Sequence, residues 1–364
     1  MTDTLFTIQE HNEYNACDKL YPKTHASLIV NPPQATGARI DVTCSPASAG
    51  IVVNLSGQKT ASATTDSSGK CGFEKLDYGE YTISATIGGT EQSKTINIDA
   101  SKIYDVELGI SVSATLNDND WATISNVSNA GLANSYWNVG DIKTIVVNGQ
   151  VGNTAFSNLS IDAYILGINH NAELEGNNRI HFCIGKVNNK TVGLIDSRYD
   201  EYLVPESGYF TINYSSDTNA GGWKDCYMRS TIMLAIKDTL PTDLQNVLKT
   251  VTKYTDNTGG KGDGSASNVT ATTETICLEA EFEVHGVRSY ANSYEQNKQK
   301  QYDYYKNGNS KIRYKYNNTN NTAWWWNRSP IIGNPESFCV VQANGTAHFN
   351  ATGYCQAVAP CFYV

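Results

Sequence analysis

The sequence lacks the closely spaced cysteines of a zinc site and the features of an export signal. None of its nine cysteines forms a C-x-x-C pair, the spacing that supplies zinc ligands. The first residues, MTDTLFTIQEHNEYN, contain neither a basic segment nor an apolar one, so no secretory signal peptide is expected. An odd number of scattered cysteines without an export signal predicts reduced, buried thiols.

Long apolar runs and an excess of positive charge are also missing. No stretch approaches the roughly 18 consecutive apolar residues of a membrane helix. The formal net charge is −9 and the basic residues are dispersed, which repels a phosphate backbone. We therefore expect neither membrane insertion nor a nucleic-acid partner.

Motifs of the common enzymes are absent as well. There is no G-x-S-x-G, no P-loop and no clear pair of catalytic carboxylates. Three histidines that lack metal-binding spacing are interpreted as structural: His170, His181 and His285. Three aspartates lack the spacing of a calcium-binding EF-hand: Asp118, Asp120 and Asp141. No catalytic residue, metal ligand or cofactor is assigned.

What the sequence has in quantity is tyrosine, with 22 residues, and glycine, with 29. Asn, Ser and Thr are frequent too, as in β-rich proteins with many short strands and turns. Tyrosine also provides rigid, amphipathic contact area on recognition surfaces. The composition fits either a loop-rich β protein or one with an exposed recognition surface.

The first third of the chain divides into an arm and a β domain. Residues 1–37 have no periodicity and contain a Pro-Pro pair, which predicts an extended arm or linker. Residues 38–110 contain seven short segments with partial period-2 alternation, separated by turn clusters such as DSSGK and DYGE. This pattern predicts a small β-sandwich. It resembles the bacterial immunoglobulin-like modules that serve as spacers. Cys44 and Cys71 could face each other in such a module, and buried free thiols are expected there rather than a disulfide bridge.

From residue 115 the pattern mixes helices and strands without regular alternation. DWATISNVSNAG predicts a helix that is capped by its Asp and ends near Gly131. Strands are predicted at KTIVVNG, DAYILGIN and NRIHFCIG, and helices at DCYMRSTIMLAIKDTL, PTDLQNVLKTV and SYEQNKQKQYDYYKNG. TDNTGGKGDGSASN is expected to be a flexible loop. The predicted class for 115–364 is α+β.

The last forty residues predict a β-hairpin. Phe338 to Gln342 alternates, Asn344-Gly345 suggests a type I′-like turn, and Thr346 to Asn350 returns. Such a hairpin can bury one face and present the other to a ligand.

At this point the sequence resembles the C-terminal domain of phage and prophage tail proteins from gut Firmicutes. Those chains end in W-W-L-R-S-P, an aromatic-rich hairpin and G-V-x-P-x-F. The two C-terminal motifs correspond to Trp325-Trp326-Asn327-Arg328-Ser329-Pro330 and Ala357-Val358-Ala359-Pro360-Cys361-Phe362. Five motifs further upstream match as well: Tyr136-Trp137-Asn138-Val139-Gly140-Asp141, Ile168-Asn169-His170-Asn171, Gly221-Gly222-Trp223, Tyr227-Met228-Arg229 and Arg288-Ser289-Tyr290-Ala291-Asn292. The motifs keep their order over about 115–364. The chain departs from the pattern at Asn327, where the motif has Leu, and at Ala357, where it has Gly.

The resemblance implies a C-type-lectin-like fold, of the variant shared with formylglycine-generating enzymes, for residues 115–364. It also implies a variable protein of a diversity-generating retroelement, whose 3′ codons are rewritten so that one scaffold presents many surfaces. The positions expected to be rewritten, and so to contact a ligand, are Trp324, Asn327, Ile331, Ile332, Asn334, Glu336, Ser337, Val340, Gln342, Asn344, Thr346, His348, Asn350, Thr352, Tyr354 and Gln356.

Several of these residues have an alternative, structural interpretation. Trp325 and Trp326 are predicted to pack in the core, whereas Trp324 is either a core residue or a ligand contact. Arg328 is expected to anchor the loop through backbone carbonyls or a carboxylate. Ile331 and Ile332 form either a satellite core or an exposed apolar patch. Asn327 is either a rewritten site or local drift.

Together these inferences predict a non-enzymatic receptor-binding protein of a phage or prophage tail, made in the bacterial cytoplasm and carried in the virion. Its partners would be a bacterial cell-surface protein or glycan and other tail subunits. A homo-oligomer, for example a trimer, is also compatible with these inferences. One alternative is a structural tail component whose C-terminal domain packs against sister subunits. A second is a thiol oxidase of the formylglycine-generating kind, in which Cys339, Cys355 or Cys361 would act.

Overall fold

The computed structural model describes residues 37–203, 205–260 and 262–364, together with the backbone of two short paired strands, β1 (Gln9–His11) and β2 (Cys17–Lys19). The arm predicted over residues 1–37 lies almost entirely outside the described residues. The chain divides into two compact units. Unit 1 comprises Met1–Thr86 and Glu91–Gly109, and unit 2 comprises Ile87–Thr90 and Ile110–Val364.

Unit 1 contains a two-sheet β-sandwich built from seven strands, as the alternation predicts. The strands are β3 (Arg39–Ser45), β4 (Val52–Gly57), β5 (Ala61–Thr64), β6 (Lys70–Glu74), β7 (Gly79–Ile87), β8 (Thr90–Ile98) and β9 (Ile103–Gly109). One sheet has the order β6-β3-β9 and the other β5-β4-β7-β8.

Alternate residues of these strands form the sandwich core. On β3, Ile40, Val42 and Cys44 are buried, while the residues between them are partly exposed. Successive side chains of a strand point to opposite faces, so this strand turns one face to the core. Cys44 and Cys71 are both free thiols.

Unit 2 is α+β, and most of its regular structure is strand. Its strands are β10 (Ile142–Val151), β11 (Thr154–Ile168), β12 (Ile180–Val187), β13 (Lys190–Gly193), β14 (Val251–Asp256), β15 (Val269–Glu274), β16 (Ile276–Cys277), β17 (Arg313–Lys315), β18 (Asn318–Ala323), β19 (Trp325–Pro330), β20 (Ser337–Val341), β21 (Ala347–Ala351) and β22 (Cys361–Tyr363). Eight of them form one sheet in the order β10-β11-β12-β13-β17-β18, with β22 pairing with β12 and β16. β14 pairs with β15, and β19-β20-β21 form a three-stranded sheet.

The helices of unit 2 are short. They are α1 (Trp121–Asn129), α2 (Ala133–Tyr136), α3 (Ala172–Glu175), α4 (Gly222–Asp225), α5 (Leu234–Asp238), α6 (Thr242–Gln245), α7 (Glu281–His285) and α8 (Asp303–Lys306). A π-helical segment, Met228–Met233, precedes α5, and 3₁₀ turns span Leu116–Asp118, Ala266–Asn268 and Ser293–Asn297. Among the described residues, no helix is long and apolar enough to cross a bilayer.

Helix α1 begins and ends where the sequence predicts. The Asp120 side chain accepts the amide of Thr123, which satisfies one of the unpaired donors at the helix start. Just beyond its end, Gly131 has a φ of +73°, a conformation that glycine adopts without strain. The predicted strands at KTIVVNG, DAYILGIN and NRIHFCIG are confirmed as parts of β10, β11 and β12.

The continuous apolar run on β11 is buried on both faces of the eight-stranded sheet. Ala163 and Ile165 join a large core that includes Trp121 of α1, whereas Tyr164 and Leu166 join a second core on the other face. A strand that is covered on both faces has a continuous run of hydrophobic residues in its sequence rather than an alternating pattern. The strand therefore lies in the centre of unit 2.

One helix prediction is too long and another is wrong. PTDLQNVLKTV forms the short helix α6, which ends at Gln245, and its last residue, Val251, begins β14. SYEQNKQKQYDYYKNG is not one exposed helix but the 3₁₀ turn at Ser293–Asn297 followed by α8, and Tyr305 and Glu295 are buried within it. Their burial is stabilised by hydrogen bonds to Glu279 and Ser329, which lie in distant segments of the chain.

Candidate ligand-binding surface

The three-stranded sheet β19-β20-β21 carries many of the predicted contact positions. Trp326 lies opposite Val340, and Val340 lies opposite His348. Directly opposed residues share a face of the sheet, so these three point the same way. Trp325 lies on the other face, and both Trp325 and Trp326 are fully buried, as predicted.

The hairpin connection differs from the predicted two-residue type I′ turn. The amide of Gly345 donates to the Gln342 carbonyl at 2.8 Å, and the amide of Gln342 donates to the Thr346 carbonyl at 2.9 Å. Gly345 has a φ of +85°, whereas Asn344 does not have a positive φ. This is a three-residue loop, a type I turn followed by one left-handed residue.

Ten of the sixteen predicted contact positions have side chains that are exposed or half-buried. We call this set the C-terminal surface: Trp324, Ile332, Asn334, Glu336, Gln342, Asn344, Thr346, His348, Asn350 and Tyr354. Of the two alternatives for Ile331 and Ile332, a satellite core and an exposed patch, each residue follows a different one. Ile332 is exposed, whereas Ile331 packs with Ala291 and Cys339 in a small satellite core.

The other six positions are buried, which corrects their assignment as surface contacts: Asn327, Ile331, Ser337, Val340, Thr352 and Gln356. Val340 joins Trp326 in the large core. Thr352 donates its hydroxyl to Asp217 Oδ1 at 2.9 Å, and Gln356 donates its amide to Asp200 Oδ1 at 3.2 Å. These two side chains link segments that are distant in sequence, and all six positions lack exposed surface in this structure.

Asn327 is the least satisfied of the buried six. Its side chain is fully buried, and neither Nδ2 nor Oδ1 has a hydrogen-bond partner. It lies where the pairing of β19 with β20 is interrupted between Trp326 and Pro330. A buried amide without partners is destabilising, and the position is one where the resembling family has Leu.

Buried polar side chains fix the backbone beneath the C-terminal surface. Asn219 donates from Nδ2 to the carbonyls of Asn334 and Ser337 at 2.9 and 2.8 Å, and more weakly to Ile331 at 3.4 Å. Its Oδ1 accepts the amide of Gly260. One buried side chain thus ties the loop 331–337 to the loop 255–268, where the sequence predicts flexibility.

A second buried residue, Glu281, holds the neighbouring loop. Its carboxylate accepts the amides of Ser289, Tyr290 and Ala291 at 2.9 to 3.2 Å. Arg328, the predicted anchor, donates to the Leu278 carbonyl at 2.9 Å and to both oxygens of Glu283. These contacts are to backbone or buried groups, so they do not depend on the exposed side chains.

Aromatic rings lie close together on and beside the C-terminal surface. The rings of Trp324 and His348 are 5.6 Å apart, and Tyr290 lies 6.0 Å from His348. The rings of Tyr354 and Tyr202 are 5.0 Å apart, and Tyr202 is about half exposed. Aromatic residues of this kind are enriched in binding hot spots.

Two of these aromatic neighbours, Tyr290 and Tyr202, were not among the predicted contacts. Tyr290 belongs to the motif Arg288-Ser289-Tyr290-Ala291-Asn292, so the resemblance could have identified it as a contact. Tyr202 carries no sequence signal, because it reaches the surface through a bridge to Tyr354 and a hydrogen bond from its hydroxyl to Asp217.

An open polar groove of about 480 Å³ is lined by the 195–199 segment and the β17–β18 hairpin. The hydroxyl of Tyr199, one of its lining residues, accepts the amide of Trp324 at 2.8 Å. Lys315 lies over the Tyr199 ring at 4.2 Å. The groove therefore adjoins the backbone of the C-terminal surface, and none of its lining residues was predicted.

Two buried groups of side chains have donor atoms close enough for a metal ion, but a basic side chain already lies at each. In the group His170, Glu175 and Glu283, the Lys253 ammonium is 2.5 Å from Glu175 and 3.0 Å from Glu283. Burial, and then the charge of Lys253, lower the pKa of His170 to about 3. The lysine pairs with both carboxylates, and the neutral His170 keeps a buried Nε2 without a hydrogen-bond partner among the described residues.

The second group, Cys183, Glu279 and Cys361, surrounds Arg313. The guanidinium lies 3.1 Å from Glu279 and 3.3 Å from Cys183. Burial raises the pKa of the Cys183 thiol, but a hydrogen bond with Cys361 and the charge of Arg313 outweigh it and lower the pKa to about 6. All four side chains are buried, so a substrate does not reach the thiol in this structure.

The other two thiols considered for oxidase chemistry, Cys339 and Cys355, are buried free cysteines. Burial raises the pKa of both, that of Cys339 to well above the ordinary value for a thiol. A thiol with a raised pKa is a poor nucleophile. These features do not favour the thiol-oxidase alternative.

A family model described as a domain of unknown function (DUF6273) matches residues 195–364, which include the three-stranded sheet. A comparison with curated proteins found no match.

Solved structures with local similarity are bacterial. The minor pilin GBS52 of Streptococcus agalactiae is 21% identical over 21% of this chain and 45% of its own, with a TM-score of 0.16. The TIE protein of Bacillus anthracis is 11% identical over 41% and 27% of the two chains, with a TM-score of 0.21. A DUF3823 family protein of Parabacteroides merdae is 12% identical over 41% and 57%, with a TM-score of 0.17. Each match spans less than two thirds of the other chain, and TM-scores this low carry no argument about function.

Proposed function

We propose that this protein is a non-enzymatic receptor-binding protein of a phage or prophage tail. In this proposal unit 2 has a C-type-lectin-like fold and its C-terminal surface binds a bacterial cell-surface protein or glycan. Unit 1 serves as a spacer. The chain would be a variable protein of a diversity-generating retroelement, with the exposed positions as the ones that set specificity.

The observation that carries the proposal is the separation of scaffold and surface. The loop that bears Ile332, Asn334 and Glu336 is held by the buried side chain of Asn219 through backbone carbonyls, and Glu281 holds the neighbouring loop in the same way. The side chains of Ile332 and Glu336 are exposed, and the bonds of Asn219 to this loop do not involve them. Binding sites on loops need a rigid scaffold of this kind.

The aromatic rings around His348 support the proposal that this surface binds a ligand and is not simply exposed to solvent. Trp324 is half-buried against the large core and close to His348. A rigid aromatic side chain contributes contact area at a low entropic cost. Its substitution is therefore expected to weaken binding more than that of an isolated polar residue.

The experiment is a cell-binding assay with the fluorescently labelled full-length chain and intact Firmicutes cells. Trp324→Ala and His348→Ala are each expected to weaken binding at least about tenfold, which is about 1.4 kcal/mol. Val146→Ala, an exposed position on β10 in the eight-stranded sheet, is the control and should leave binding unchanged. Treating the cells with protease or with periodate distinguishes a protein from a glycan receptor.

Binding that is unaffected by both substitutions would contradict the proposal. A chain that binds no tested cell, and whose C-terminal surface is buried between subunits in an oligomer, would favour the structural tail component instead.

A further inference from the structure

Strand β21 is the outer strand of its sheet. The order β19-β20-β21 ends there, and all five of its residues are half-buried. Within the described part of the chain, no strand or bridge pairs with its other side. An edge strand with unpaired backbone groups is a template for another strand, including one from a second copy of the same chain.

The register shows which backbone groups of β21 face outward. Gln342 and Thr346 share a backbone hydrogen bond, as do Glu336 and Thr352. Hydrogen-bonded and non-hydrogen-bonded pairs alternate along an antiparallel ladder. The residues that bond inward to β20 are therefore 346, 348, 350 and 352, and the backbone groups of 347, 349 and 351 face the open edge.

Side chains of β21 cover part of this edge. The Nδ1 atom of His348 donates to the outward carbonyl of Phe349 at 2.8 Å, so its proton is on Nδ1. The Oδ1 atom of Asn350 accepts the outward amide of Ala351 at 3.0 Å. The carbonyl of Ala351 accepts the amide of Tyr354 at 3.1 Å. Half of the six outward groups are thus already paired within the chain.

Neighbouring aromatic rings hold the histidine in position. The ring of His348 is stacked on that of Phe349 at 5.0 Å and lies 5.6 Å from Trp324. Packing on both sides restricts the rotamers of His348 and keeps Nδ1 over the edge.

We propose that His348 and Asn350 close the edge of β21 and prevent a second copy of this chain from adding a strand there. The proposal rests on the register and these hydrogen bonds, and it does not depend on the proposed function. It gives two half-buried positions of the C-terminal surface a role within the chain, so residues that cannot cap the edge are expected to promote self-association.

The test uses the full-length chain with the double substitution His348→Ala and Asn350→Ala. Sedimentation equilibrium should show self-association at least about tenfold tighter than that of the wild type, whatever oligomer the wild type forms. The matched control is Thr346→Ala, on the same hairpin, whose hydroxyl bonds only to side chains. This control should behave as the wild type.

Adding Ala347→Pro to the double variant checks that association occurs through the edge. The amide of Ala347 faces outward, so proline there removes no bond to β20 and is tolerated on an edge strand. It should restore the wild-type oligomeric state. Double-variant association that persists with Ala347→Pro, or a double variant that associates no more than the wild type, overturns the proposal.

A second readout does not depend on association. In the single variant Asn350→Ala, amide exchange followed by NMR at low concentration should be about tenfold faster at Ala351, the loss of about one hydrogen bond. An unchanged exchange rate at Ala351 in a folded variant also overturns the proposal.

Discussion

The side-chain amide of Asn219 donates to the backbone carbonyl of Ser337 at 2.8 Å, across 118 positions of sequence. The same Nδ2 atom reaches Asn334, and Oδ1 accepts from Gly260. One buried side chain therefore sets the conformation of the loop that displays Ile332 and Glu336. This arrangement supports the loop through its backbone, and the half-buried side chain of Asn334 adds one local bond by accepting the amide of Glu336 at 2.8 Å.

Replacing Asn219 should loosen this loop and destabilise unit 2. Asn219→Ala leaves carbonyls of the 331–337 loop without their buried donor, and we expect a loss of about 2–3 kcal/mol in the free energy of unfolding. Urea denaturation measures it. Asn317→Ala, which removes an exposed amide, should change stability by no more than about 0.5 kcal/mol. Equal stability of the two variants would show that the Asn219 hydrogen bonds do not support the loop.

Buried and exposed members of the predicted contact set should respond differently to substitution. Val340→Ala removes two methyl groups from the large core, and we expect it to destabilise by about 1–3 kcal/mol. Glu336→Ala and Gln342→Ala, on the C-terminal surface, should stay within about 0.5 kcal/mol of the wild type. Thermal unfolding of the three variants measures these changes in stability. Equal changes in all three would mean that Val340 is no more important for stability than the exposed residues.

The sequence predicts those elements whose signals are local. Asp120 marks the start of α1, and alternation along 39–109 predicts all seven strands of unit 1. The hairpin β20–β21 is also predicted, although one glycine at 345 rather than the Asn-Gly pair forms its left-handed position. Local signals of this kind need no knowledge of what packs against them.

The burial of polar residues could not be predicted in the same way. Glu295 and Tyr305 lie in a segment rich in Lys and Gln, and their burial depends on Ser329 and Glu279, which are remote in sequence. Thr352 is likewise buried by its bond to Asp217, 135 positions away. Periodicity alone assigns such residues to the surface, because it carries no information about distant partners.

The buried carboxyl of Glu295 should make stability depend on pH. Burial raises its pKa from the ordinary value of 4.5 to about 7, so between these values the folded chain binds a proton that the unfolded chain has lost. This contribution to stability therefore falls as pH rises from about 4.5 to 7, by on the order of 1–3 kcal/mol.

The substitution Glu295→Gln isolates that contribution. Urea denaturation between pH 4.5 and 8 should show the wild type losing stability relative to the variant as pH rises, whatever their difference at low pH. Glu173→Gln, at an exposed position, is the matched control and should run parallel to the wild type. Parallel curves for Glu295→Gln as well would mean that folding does not raise the pKa of Glu295.

The substitution Asn327→Leu should stabilise the protein. Asn and Leu have the same branching and the same number of heavy atoms, so leucine places two apolar groups where the amide now has two unpaired polar ones. Leaving a buried polar group unsatisfied costs about 1–3 kcal/mol, and removing it should raise the free energy of unfolding by about that amount. Urea denaturation gives the value.

Asn327→Asp provides the opposite test at the same site. It keeps the shape but introduces a carboxylate with no described partner, which should destabilise the protein or be tolerated only when protonated at low pH. If Asn327→Leu is less stable than the wild type and Asn327→Asp is tolerated at pH 7, the site is hydrated. In that case water reaches Asn327, and the polar side chain makes the protein more stable than leucine does at this position.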